Sequence, residues 1–88
     1  MKSRWIEKDG VTIDLPNLTA VIAKDSGGWF VSECPELGVA SQGRSRMDAY
    51  RMLTEAVELW LEAASATEVR RRLREGARVR SLELSHAT

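Results

Sequence analysis

Hydrolysis assisted by two metal ions needs several carboxylates converging on one point. The acidic residues nearest to such a set here are Asp25, Glu33, Glu36 and Glu55. Their settings argue against convergence. Asp25 falls in an Asp-Ser-Gly-Gly turn, Glu36 follows Pro35, and Glu55 lies on the polar side of a helical pattern. Carboxylates in such places are ordinarily solvated or capping groups. His86 stands two residues from the last residue, where chains fray, and is not expected to serve as a general base. Cys34 has no histidine partner with any positional signal, so an inert thiol is the expectation rather than a nucleophile. The chain therefore reads as no enzyme, with no catalytic residue, no metal set and no cofactor.

Two groupings suit contact rather than catalysis. Arg70, Arg71, Arg72, Arg74, Arg78 and Arg80 form a basic cluster. Phosphate contact through Arg71 and Arg74 is one reading; a solvated helix face paired to nearby acids is the commoner fate of such a run. Trp29-Phe30-Val31 is the second grouping. Adjacent strand residues point to opposite faces, so one of the two rings is expected on whichever sheet face helices leave bare. Large exposed aromatics favour association. Cover by the N-terminal segment or by a second copy of the chain satisfies the same rings, and a homo-oligomer is expected.

The elements that must position these residues follow from pattern. Trp5-Ile6 and Val11-Thr12-Ile13 flank Asp9-Gly10, a dipeptide suited to tight hairpins, so residues 1–17 read as a hairpin or an extended arm ahead of a domain over 18–88. Thr19–Lys24 is a β-branched strand, Gly27-Gly28 a turn, and Trp29–Glu33 the return strand, ended by Pro35, which has no amide hydrogen. Val39–Gln42 is a third, short strand. Ser45 with Asp48 makes a capping box. Ala49, Tyr50, Leu53, Ala56, Val57, Trp60, Leu61 and Ala64 then form one helical stripe, in which Trp60 is core. Ser65 and Glu68 open a second helix over Thr67–Glu75, with Val69 and Leu73 inward and Gly76 as its stop. Ala77–Leu84 reads as a last strand, although Val79 and Leu82 differ in parity. The order is β-β-β-α-(α)-β: an α+β two-layer domain with a three-stranded antiparallel meander, a fourth strand parallel to the first, and helices on one face.

Composition is consistent with that scale. Eighty-eight residues make one domain with a thin core. Thirteen basic and thirteen acidic side chains cancel, so the chain as a whole has no electrostatic claim on nucleic acid. The halves differ: residues 1–65 carry seven basic and ten acidic groups, and residues 66–88 carry six Arg against three Glu. One cysteine builds neither a disulfide framework nor a zinc site, and a reducing compartment is the simpler reading. With no apolar core of signal-peptide length at the start and no run near the ~18 residues of a membrane span, a cytoplasmic protein is expected.

The run Thr19-Ala-Val-Ile, Asp25-Ser-Gly-Gly-Trp-Phe-Val-Ser-Glu-Cys-Pro-Glu-Leu, Ser41-Gln-Gly and Ala56-Val-Glu-Leu-Trp-Leu-Glu-Ala resembles the HicB family of antitoxins over residues 18–64. The resemblance implies a partial ribonuclease H-like fold and a partner, a HicA-type toxin that cleaves mRNA, silenced by direct contact. Trp29, Phe30, Glu33 and Glu36 are the expected contact residues, the acids suiting a basic, RNA-binding partner. Two departures stand out. The family usually reads Cys-Pro-Glu-Leu-Pro-Gly-Cys, whereas Leu37 here runs straight into Gly38-Val39-Ala40. The chain also ends just after its last strand, without room for a helix-turn-helix or ribbon-helix-helix appendix, so DNA binding through one is not expected. A stand-alone HicB-like regulatory protein and a nucleic-acid-associated protein using the Arg-rich segment are the alternatives.

Overall fold

The computed structural model describes residues 4–80 and 82–85. It is α+β: five antiparallel strands in two sheets and two helices. Strands β1 (Trp5–Lys8) and β2 (Val11–Asp14) form the N-terminal hairpin. Asp9 and Gly10 both take positive φ, 53° and 75°, as a two-residue type I′ turn requires. The choice between hairpin and arm thus falls to the hairpin, and it packs on its own chain: Ile13 is buried against Ala66 and Val69. Strands β3 (Val21–Lys24), β4 (Phe30–Cys34) and β5 (Val39–Gly43) form the expected meander in the order β3-β4-β5.

Helix α1 (Arg46–Ala63) lies across one face of that meander. Ser45 caps it, its hydroxyl accepting from the Asp48 amide at 3.0 Å, while the Asp48 carboxylate accepts from the Arg44 amide at 2.9 Å. The reciprocal pair satisfies donors that the first turn leaves free. Small residues let the helix sit low. The Ser32 hydroxyl donates to the Ala49 carbonyl at 2.9 Å, and a Cβ on Gly43 would stand 2.4 Å from the Ala49 nitrogen. Ala49 and Leu53 are buried as the stripe predicts, but Tyr50 is 51% exposed. Its place on the flank of α1, beyond the sheet's β3 edge, leaves it no strand to pack on.

Helix α2 (Ala66–Glu75) corrects the expectation of helices sharing one sheet face. It packs on the hairpin, through Ala66 and Val69, rather than on the meander. The hairpin tip explains the placement. Lys8 Nζ donates to the carbonyls of Leu61 (2.6 Å) and Glu62 (2.8 Å) at the end of α1, and Asp9 accepts from the Ala66 amide (2.8 Å) at the start of α2. A cation at a helix C-terminus and an anion at an N-terminus both complement the backbone dipoles. Trp60, Leu61 and Leu73 join this hairpin core to a second cluster around Cys34, Leu37 and Leu53. Trp60 is therefore core, as expected, with the Arg72 guanidinium over its ring, 5.1 Å from the ring centre.

The fourth strand is not formed. Residues 77–80 and 82–85 carry no ladder, Val79, Leu82 and Leu84 are largely exposed, and Ser81 lies outside the described residues. Parity accounts for this, since one register cannot turn Val79 and the two leucines to the same buried face. Gly76 ends α2 at φ −68°, so its role is not the left-handed cap expected of a stop glycine. A Cβ there would meet the Glu36 carbonyl oxygen at 2.0 Å.

Candidate functional site

Register assigns every side chain of the meander to a face. Cross-strand partners are Ile22–Ser32, Ser32–Ser41, Cys34–Val39 and Phe30–Gly43 on one side, and Val21–Glu33, Glu33–Ala40, Ala23–Val31 and Val31–Gln42 on the other. The first set lies under α1, where Ser32, Cys34 and Gly43 are buried. The second set is exposed throughout, and no element among the described residues covers it. It presents Val21, Ala23, Val31 and Ala40 as an apolar surface, with Glu33 between Val21 and Ala40. Val21 is 52% and Val31 39% exposed.

The four expected contact residues separate. Glu33 sits on the open face. Phe30 belongs to the helix side and is half-buried, with the Arg46 guanidinium 5.0 Å and the Lys24 ammonium 6.0 Å from its ring centre. Trp29 precedes the strand, 38% exposed, with Arg44 at 5.0 Å from its ring. The bare face carries β-branched and small residues, and Phe30, the first residue of β4, turns its ring to the covered side, while Trp29 just ahead of the strand has the parity of Val31 and Glu33. Cation–π contact holds both rings near the α1 N-terminus.

Glu36 has a structural task. Its carboxylate accepts from the Thr19 amide at 2.9 Å, from the Thr19 hydroxyl, and from the Cys34 thiol at 3.4 Å. Partial burial works against its charge, but the two Thr19 bonds, its own amide and the thiol prevail and hold its pKa below the usual glutamate range. Burial pushes the Cys34 thiol up; the Leu37 amide opposes that rise and the Glu36 carboxylate adds to it. A buried thiol with a raised pKa favours its protonated form. Around this turn, Leu37 is fully buried, Arg72 donates to the Leu37 carbonyl at 2.7 Å, and the Ala77 amide donates to the Pro35 carbonyl at 2.9 Å. The Cys-Pro-Glu-Leu segment is a structural hub.

The remaining candidates are dispersed. Asp25 accepts from the Gly27 and Trp29 amides at 2.9 and 3.0 Å, closing its own turn. Glu55 is exposed on α1. No three His, Cys, Asp or Glu side chains among the described residues are placed to share a metal ion. Arg71 bonds Glu68 at 2.6 Å and approaches Glu75 at 3.6 Å, whereas Arg74 is exposed. His86 lies outside the described residues. None of the described helices is long and apolar enough to cross a membrane.

Sequence reading missed Val21, Ala23, Val31 and Ala40 by following the largest rings. Glu33 carried the usable signal: a charge at the centre of a strand marks its parity as the wet one. No family model, curated protein or solved structure matches this chain.

Proposed function

We propose that this chain is a protein-binding module of the HicB type, which neutralises a small basic ribonuclease of the HicA type by covering it rather than by chemistry. One observation carries the reading: the open face of the meander, with Val21, Ala23, Val31 and Ala40 exposed around the single carboxylate of Glu33. An apolar patch supplies affinity through desolvation, and a lone acid at its middle favours a cationic partner and steers its approach. Glu36 contributes by shaping the turn, and Trp29 by standing beside the patch with Arg44.

The nucleic-acid alternative rests on Arg71 and Arg74, and Arg71 is already committed to Glu68 and Glu75. Co-expression with any short basic protein encoded beside this chain tests the reading. A stable complex is expected, weakened by added salt and lost with Glu33→Lys or Val31→Asp. Independent migration of the two wild-type proteins through size-exclusion at low salt would overturn it.

A further inference from the structure

A groove of about 370 Å³ lies between the lead-in Leu15–Ala20, just ahead of the edge strand β3, and the flank of α1. Leu18, Tyr50, Leu53, Val57 and Cys34 line it. It reaches core: Cys34 and Leu53 are among the most buried residues of the domain, while Leu18 and Tyr50 stand open at the rim, 36% and 51% exposed. An unpaired edge beside an apolar groove is a seat for one more strand, with ladder bonds to the edge and alternate side chains in the groove.

The same chain carries a segment of matching character. Leu82 and Leu84 share one strand face by parity, and they are 84% and 75% exposed. None of residues 77–80 or 82–85 lines the groove. The base of the segment is clamped. Gly76 presses on the Glu36 carbonyl, Ala77 bonds Pro35, and Arg78 and Val79 lie by Pro16 and Asn17, so the segment cannot swing at its root. The molecule as a whole is extended: its radius of gyration is 15.2 Å, against about 12 Å for a compact chain of this length.

We infer that residues 77–80 and 82–85 belong to an exchange strand that completes the β3 edge of a second copy of this chain, with Leu82 and Leu84 in the partner's groove. The second copy is the occupant because each molecule offers one strand and one empty seat, so a two-fold pair satisfies both at once and leaves neither over. At about 3.3 Å per residue the segment spans close to 30 Å, enough to leave its own domain and cover the four residues of β3. This interface is separate from the open face, and the failure of either assignment leaves the other intact.

Light scattering of the full chain, with variants, tests it. The wild type is expected at twice the 9.8 kDa chain mass. Leu82→Asp/Leu84→Asp, at exposed positions, should weaken the dimer roughly tenfold or more with unchanged far-ultraviolet circular dichroism. Leu18→Asp/Tyr50→Asp should do the same from the groove side. Mixing the two variants should restore dimers, since one intact strand then meets one intact groove. A wild-type monomer at about 100 µM, or a dimer that the leucine variant leaves at full strength, would overturn the inference. So would a monomer whose amides at 82–85 are protected from hydrogen exchange, which places the strand in its own groove.

Discussion

The two faces of the β3–β4–β5 meander are made by the same strands and have opposite economies. Under α1, Ser32, Ser41 and Gly43 are small and the helix backbone comes down almost to contact. On the other side Val21, Val31 and Ala40 have nothing over them among the described residues. Alternation along β4 thus separates residues that hold the fold from residues free to bind. The lesson extends to two acids three positions apart. Glu33, on the open face, has no structural partner among the described residues, whereas Glu36 ties Thr19 to the turn. Their carboxyl groups are chemically alike, and position divides their roles: one lies within β4, the other in the turn that follows it.

Substitutions sharpen that contrast. Leu37→Ala, in the hub below the covered face, should cost the most, about 2–5 kcal/mol by urea unfolding, because a fully buried leucine leaves a cavity. Gly43→Ala follows at about 1–3 kcal/mol, since its methyl has nowhere to go but into the α1 backbone. Its signature is a shift of amide resonances around Ala49.

Glu36→Gln should cost about 1–3 kcal/mol at neutral pH, the range for bonds to a charged acceptor, and the loss should depend on pH. Its pKa is depressed on folding, so its contribution is present above the unfolded value of about 4.3 and fades as pH falls through the folded value. The gap in urea midpoint between wild type and Glu36→Gln should therefore close in acid. A gap that stays constant down to acid pH would show that the carboxylate's charge is not what Thr19 reads. At the small end, Val31→Thr and Glu33→Gln on the open face should each move stability by no more than about 0.5 kcal/mol. If Val31→Thr proved as costly as Leu37→Ala, the two faces would not differ as described.

Local signals were well expressed in the sequence. The capping boxes at Ser45 and Ser65 appear as hydrogen bonds at 3.0 and 3.1 Å, and Asp9-Gly10 turns as its dipeptide suggests. Those features depend on a few neighbouring residues. What escaped depends on partners far along the chain. That Gly76 serves close approach to Glu36, that Tyr50 stays half-exposed, and that residues 77–80 and 82–85 carry no ladder are all outcomes of packing. Hydrophobic content cannot distinguish a strand that pairs from one that waits for a neighbour. The bare face was legible in principle, because Glu33 marks its parity, but the bulk of Trp29 and Phe30 drew attention away from Val21, Ala23, Val31 and Ala40.

The hairpin tip carries a consequence for how the protein folds. Lys8 and Asp9 reach residues 53 and 57 positions later, so the elbow between the two helices is locked by atoms distant in sequence. Contacts of such separation slow folding, so the hairpin and the meander can each pair locally before the elbow is fixed. A break in residues 5–14 would therefore leave the meander able to form while the helical elbow loses its lock.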